Sequence, residues 1–214
     1  MSDFPAVAVK TQQILPGRFA LFYPSDFCGQ NKKKEEKMPD THKEIERKYL
    51  ISMPDPSVFA PENGAARYEI EQIYLTSDDK TNRRIRCRKS GGATECTYTE
   101  KVRVSALVRL ETEGEISLSA YEEKKKEADP ACLPLQKIRY AIPYGGHLCE
   151  IDVFPFWEHC ALLEIECESE EDAARLTLPP WVTLLREVTQ DPDYTSHALS
   201  YPDAPARREE NVLR

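Results

Sequence analysis

The chain has 214 residues, 40% of them hydrophobic and 31% charged, which fits one ordinary soluble domain with its own core. No apolar run approaches the roughly 18 residues of a membrane-crossing helix, and Asp3, Lys10 and Arg18 break up any apolar stretch of the secretory-signal kind. A net charge of -8 excludes a generally basic, nucleic-acid-coating surface but leaves room for a local basic pocket. Seven cysteines with no Cys-x-x-Cys pair or zinc-like spacing point to buried thiols in the cytoplasm rather than to a disulfide framework.

Residues 1–40 read as an N-terminal extension, broken by Pro5, Pro16 and Pro24 and ending in the charged run Asn31 to Lys37. From Thr41 the texture changes to short alternating segments between turn residues. This spacing predicts strands near 43–51, 67–76, 83–90, 95–102, 107–116, 135–143, 147–154 and 161–168. Gly91-Gly92 and Gly145-Gly146 fall between neighbouring strands as tight hairpin turns, with no phosphate-loop pattern around them. A helix is expected near 119–128, capped by Ser119 with Glu122, and another near 170–177, capped by Ser169 and stopped by Pro179-Pro180. A short helix near 193–200 closes a domain of residues 41–200, and 201–214 read as a C-terminal tail. Eight antiparallel strands in one domain leave two open edges unless the sheet closes. The expected fold is therefore α+β and mainly β, a closed eight-stranded antiparallel barrel with a few flanking helices.

Residues two apart in a strand share a face, and the charges follow that spacing. Glu44, Glu46 and Lys48 share one face; so do Arg84, Arg86 and Arg88. Lys101 lies two after Thr99. Glu111 pairs with Glu113, Lys137 with Arg139, Glu150 with Asp152, and Glu164 with Glu166. The positions between them are largely apolar, as in any sheet with one wet face. Most pairs, however, carry a single sign, whereas a solvated face mixes signs because close like charges repel. Segregated carboxylates and segregated cations call for partners outside the chain: divalent cations for the first, phosphate oxygens for the second.

The segment Glu44-Ile45-Glu46-Arg47-Lys48 resembles the Glu-x-Glu-x-Lys signature of the CYTH, or triphosphate tunnel, family. Further segments resemble the family in order: Gln72 to Leu75, Arg86-Cys87-Arg88, Thr99-Glu100-Lys101, Arg109 to Glu113, Lys137-Ile138-Arg139, Glu150 to Phe154 and Glu164-Ile165-Glu166. The resemblance spans about 43–199 and implies a tunnel whose charged side chains point inward around a triphosphate. It implies Lys48, Arg86, Arg88, Lys101, Lys137 and Arg139 as substrate-binding residues. Glu44, Glu46, Asp152, Glu164 and Glu166 would hold one or two Mg²⁺ or Mn²⁺ ions, with Lys48, Glu44 and Glu46 at the chemistry. Glu111 and Glu113 either help hold metal or water or pair with tunnel arginines, and Glu150 is a further tunnel acid.

Residues 179–199, with Pro-Pro-Trp followed by Glu187-Val188-Thr189, look like the C-terminal plug of inorganic triphosphatases. They depart from it where Val182 to Leu185 replaces an early Gly and where Asp193 stands for an Arg. The activity implied is metal-dependent hydrolysis of a triphosphate, foremost inorganic tripolyphosphate to pyrophosphate and phosphate. Thiamine triphosphatase, nucleoside triphosphatase, class IV adenylate cyclase and a non-catalytic polyphosphate- or nucleotide-binding module are the alternatives. The partner expected is a small triphosphate, not nucleic acid or membrane; oligomeric state is left open. The four histidines are scattered, Trp157 and Trp181 fit packing roles, and Cys87 and Cys167 read as wall packing.

Overall fold

The computed structural model describes residues 45–78, 81–103 and 109–213. The expected extension 1–40 and Glu44 lie outside the described residues.

Each of the eight alternating segments forms a strand: β1 Ile45–Ser52, β2 Ala66–Leu75, β3 Thr81–Ser90, β4 Ala93–Arg103, β5 Arg109–Ile116, β6 Leu135–Tyr144, β7 His147–Val153 and β8 Cys160–Cys167. A ninth, β9 Leu184–Glu187, follows them. All pairings are antiparallel, and the order across the sheet is β5-β4-β3-β2-β6-β7-β8-β1-β9. Both diglycine turns behave as their composition demands. Gly91 and Gly92 have φ of 54° and 83°, and Gly145 and Gly146 have 60° and 89°. Those left-handed values suit the twist of a tight hairpin and are costly for any residue with a Cβ.

Two expectations are corrected. Among the described residues the sheet is not closed by hydrogen bonds: β5 and β9 are its edges, and it has nine strands instead of a closed eight. The added strand comes from the segment after Pro180, which turns back along β1 and pairs Tyr49 with Glu187 and Leu50 with Arg186. The helices are also shorter than expected. α1 covers Leu118–Lys124, and its cap is Ser117, whose hydroxyl accepts from the Ala120 amide at 3.1 Å; Ser119 lies inside the first turn. α2 covers Glu170–Arg175 with the expected Ser169 cap, which accepts from the Asp172 amide at 3.0 Å. The expected helix at 193–200 is instead two 3-10 turns, Pro192–Tyr194 and Ala198–Ser200. A short α3, Glu209–Val212, ends the described chain.

One sheet face is apolar in two patches. Tyr49, Ile51, Ile142, Cys149, Ile151, Ala161, Leu163 and Ile165 form the first, with Phe59, Leu176 and Trp181 packed over it. Ile73, Ile85, Cys87 and Cys96 form the second, under Tyr121 of α1. Here the structure corrects the cysteine reading. Cys87 and Cys96 lie directly opposite across β3 and β4, 4.2 Å apart at Cα, and form a disulfide. The free thiols among the described residues are Cys132, Cys149, Cys160 and Cys167.

The other face carries the alternating charges, and a third apolar cluster fills one end of it. Leu50, Leu135 and Leu162 project there from β1, β6 and β8, and Phe154 from just past the end of β7. They meet Val188, Tyr194 and Leu199 from the segment after β9, with Ala206 and Val212 beyond. Trp157 is buried in this cluster and donates its indole N–H to the Ala206 carbonyl at 2.9 Å. The plug-like segment thus stops the charged face at one end with a dry core.

Candidate functional site

Alternation along each strand and the register between strands bring the charged pairs together on one face. Lys48 lies opposite Glu164, Glu46 opposite Glu166, Glu150 opposite Glu164 and Asp152 opposite Arg139. The basic strand β6 neighbours the acidic strand β7 and Lys48 faces Glu164, whereas the acidic strands β7 and β8 adjoin each other, so much of the charge, but not all of it, is matched within the chain. The inference that segregated pairs need partners from outside therefore holds only for the unmatched part.

Arg139 is the centre of the acidic half. Its Nε and Nη2 donate to the two oxygens of Asp152 at 2.6 and 2.7 Å, Nη2 also reaches Glu164 at 2.5 Å, and Nη1 pairs with Glu150. Lys137 donates to Asp152 at 2.5 Å, and Lys48 reaches Glu164 at 2.9 Å and Glu46 at 3.2 Å. Burial opposes ionisation of Glu164, but Arg139, Lys137 and Lys48 together hold its carboxyl well below the usual carboxylate range. Burial and then repulsion from Arg139 lower Lys137, which Asp152 only partly restores. Glu150 and Glu46 are raised, each by burial first; for Glu46 the charge of Glu164 comes next. On β6, β7, β8 and β1 this face carries three cations (Lys48, Lys137, Arg139) against five carboxylates (Glu46, Glu150, Asp152, Glu164, Glu166), an excess of two negative charges.

The opposite half is built on β3. Arg84, Arg86 and Arg88 line its charged side, and across from them on β4 stand Thr99, Thr97 and Glu95. Glu113 of β5 lies 3.6 Å from both Arg84 and Arg86 and accepts from the Thr99 hydroxyl at 2.7 Å. Burial opposes its charge, but Thr99 and the two arginines win and lower its pKa. Arg88 sits over the Tyr68 ring, 4.8 Å from its centroid, and pairs with Glu95 at 2.5 Å. Arg86 has a lowered pKa, from burial first and then from Arg84; Glu113 only partly offsets the repulsion. Two buried polar atoms here have no hydrogen-bond partner among the described residues, Arg84 Nε and Thr97 Oγ1. Arg86, Arg88, Glu95, Thr97 and Glu113 line a cavity of about 140 Å³.

Of the expected site residues, Glu46, Lys48, Arg86, Arg88, Glu113, Lys137, Arg139, Glu150, Asp152, Glu164 and Glu166 thus share one face. Lys101 joins them by register, opposite Glu111, whose side chain lies outside the described residues, as does Glu44. Arg84, Glu95 and Thr97 were not among the expected site residues. Arg84 was nevertheless visible, since it shares the i, i+2 spacing of Arg86 and Arg88. Glu113 pairs with Arg84 and Arg86 in this structure.

The donor sets fit two kinds of ligand. Crowded guanidinium groups with an orphaned N–H and hydroxyl are a cradle for an oxyanion. Carboxylates directly opposite one another, as Glu46 and Glu166 are, repel and offer the all-oxygen set that suits Mg²⁺ or Mn²⁺.

Residues 42–178 match the family described as CYTH domain. The chain belongs to the CYTH family. It is similar to the solved structure of the hypothetical protein NE1496, at 30% identity and a TM-score of 0.50, covering 74% of this chain and 97% of that one. A second structure, described as the inorganic triphosphatase NE1496, gives 29% identity and a TM-score of 0.51 over 74% of this chain and 95% of that one. No curated protein matches the chain. No helix among the described residues is long and apolar enough to cross a membrane.

Proposed function

We propose that this chain is a divalent-metal-dependent triphosphatase whose foremost substrate is inorganic tripolyphosphate, bound in a barrel-like tunnel formed by the charged face. The observation that carries the reading is the β3 cradle. Arg84, Arg86 and Arg88 repel one another, and Arg84 Nε and Thr97 Oγ1 are buried without a hydrogen-bond partner among the described residues. A triphosphate supplies about four or five negative charges and many acceptor oxygens, which would satisfy both deficits. The name of the inorganic triphosphatase similar to this chain supports the substrate class.

The chain's own residues divide the work. Arg86 and Arg88 grip phosphate oxygens from β3, with Lys101 as a point charge beside them. Lys137 and Arg139 are paired with Asp152 in this structure. On binding they exchange that carboxylate for phosphate oxygens, which frees Asp152. Lys48, between Glu46 and Glu164, holds the terminal phosphate or orients the attacking water. Glu46, Glu164 and Glu166 on adjoining strands, with Asp152 once freed and Glu44 from the start of the motif, would hold one or two Mg²⁺ or Mn²⁺ ions. Such an ion, when bound, neutralises phosphate charge and makes a bound water more acidic. The dry plug of Leu50, Leu162, Val188 and Tyr194 keeps bulk water from one end of the face. A cytoplasmic location belongs to this reading; the Cys87–Cys96 bridge is the feature that speaks against it.

The test is release of phosphate and of cyclic AMP from tripolyphosphate, ATP and thiamine triphosphate, each with Mg²⁺, Mn²⁺ or EDTA. The proposal expects metal-dependent phosphate release, fastest from tripolyphosphate. Cyclic AMP formed from ATP with comparable efficiency overturns the substrate assignment. Tight binding of tripolyphosphate with no turnover overturns the enzymatic one.

A further inference from the structure

On the apolar side of the sheet, away from the charged face, three ligand-type side chains from three elements converge. His147 begins β7, Cys167 ends β8 and Asp172 lies in the first turn of α2. One ligand atom from each lies within 4.8 Å of the others. The placement follows from register. Cys149 pairs with Ile165, so His147 and Cys167, two residues further along each strand, share the same side at the sheet's end.

The carboxylate is aimed from behind. Asp172 Oδ2 accepts from the Glu168 amide at 3.0 Å, and its own amide donates to the Ser169 cap at 3.0 Å. Its oxygens face His147 Nε2 at 3.0 and 2.9 Å. Cys167 is a free thiol, buried to 6% exposure, and its Sγ lies 3.8 Å from its own strand's Ile165 carbonyl.

We propose that His147, Cys167 and Asp172 form a second metal site, for a borderline-soft divalent cation of the zinc type. One thiolate, one imidazole and one carboxylate are a set that selects such an ion over Mg²⁺ or Mn²⁺, and water completes the tetrahedron. Zinc bonds of about 2.0–2.3 Å place neighbouring ligand atoms roughly 3.3–3.7 Å apart. The present separations, from 2.9 Å up to the 4.8 Å limit, bracket that range, so side-chain shifts of about an ångström suffice. The ion would pin α2 to the ends of β7 and β8. It is chemically separate from the tunnel ions, and its occupancy does not depend on whether the tunnel turns over triphosphate.

The experiment uses the full chain, stripped with a chelator, supplied with excess Mg²⁺ and titrated with Co²⁺ as a spectroscopic stand-in for zinc. Wild type is expected to show a thiolate-to-cobalt charge-transfer band that saturates at one equivalent. Cys167→Ser should lose the band. His147→Gln and Asp172→Asn should each weaken cobalt binding by at least about 100-fold, the upper end of what even an outer-shell change costs. Asp172 is partly exposed on α2, so its variant keeps the test valid should the buried Cys167→Ser fail to fold. Absence of the band in wild type, or its persistence in Cys167→Ser, or unchanged affinity in Asp172→Asn, overturns the site.

Discussion

Glu164→Gln separates a carboxylate tied into a network from one held under strain. Two opposing forces act on Glu164. Neighbouring carboxylates repel it, Glu150 and Glu46 among them. Lys48 at 2.9 Å and Arg139 at 2.5 Å attract it. At an effective dielectric near 20 each of these contacts is worth about 6 kcal/mol before the cost of burial. The Glu164 side chain keeps 11% of its surface in water, and those of Lys48 and Arg139 keep 14% and 12%, so removing its charge leaves two largely buried cations short of a partner. Breaking a buried pair in this way costs about 3–5 kcal/mol. The lower end applies here, because Arg139 keeps Asp152 and Glu150 and Lys48 keeps Glu46. Relief of the repulsion is the smaller effect, since the Glu46 side chain is 44% exposed. A loss of about 3 kcal/mol in a domain of this size lowers the melting temperature by about 6–12 °C. The assay is a melting curve of both proteins in EDTA, so that no added ion contributes. A mutant that melts at or above the wild-type temperature refutes the reasoning and shows that repulsion dominates. Under the proposed function the mutant also loses most turnover.

Three further outcomes are expected. Leu50→Ala, at a position with no solvent exposure between the sheet and the plug, should cost about 2–5 kcal/mol; an unchanged denaturant midpoint would show that the plug does not pack there. His159 Nδ1 faces Glu209 Oε2 at 3.2 Å, and that hydrogen bond, then the charges of Glu158 and Glu209, raise the imidazole pKa above 6.5. A raised folded-state pKa stabilises below the unfolded value and is lost as pH rises through the folded one, so the melting temperature should decline slightly above pH 6.5. His159→Asn should remove that decline, and an identical pH profile would contradict the assignment. Removal of residues 1–40 should leave specific activity within a few-fold, because the family match begins at residue 42; a large loss with the fold intact would give the extension a part in the site.

The strands were legible because alternation is a local signal that survives folding: each of the eight segments became a strand. β9 was not, because Leu184 to Glu187 are all exposed and carry no alternation; its place is set by β1, through bonds such as Val188 N to the Lys48 carbonyl at 2.9 Å. The charged face was legible as a set of same-face pairs, but their mutual neutralisation was not. It depends on which strands adjoin and in what register, and a single strand's pattern does not state that. The Cys87–Cys96 pair could have been found, since each lies four residues from the Gly91-Gly92 turn and a two-residue hairpin must set them opposite. The cap of α1 was placed at Ser119, two residues past Ser117, because both serines suit an N-cap and only the backbone distinguishes them.

The central claim, that the β3 arginines bind a triphosphate, is tested most directly by calorimetric titration of tripolyphosphate into wild type and Arg86→Ala in EDTA. Arg86 is partly buried, lies 3.6 Å from Glu113 and is repelled by Arg84, so under the proposed function a substrate anion would be its stronger partner. Loss of one charge-assisted contact of about 1.5–3 kcal/mol predicts binding weaker by roughly 10- to 150-fold, with the melting temperature of the free protein nearly unchanged. Equal affinity in the two proteins, or no tripolyphosphate binding by wild type, would contradict the account.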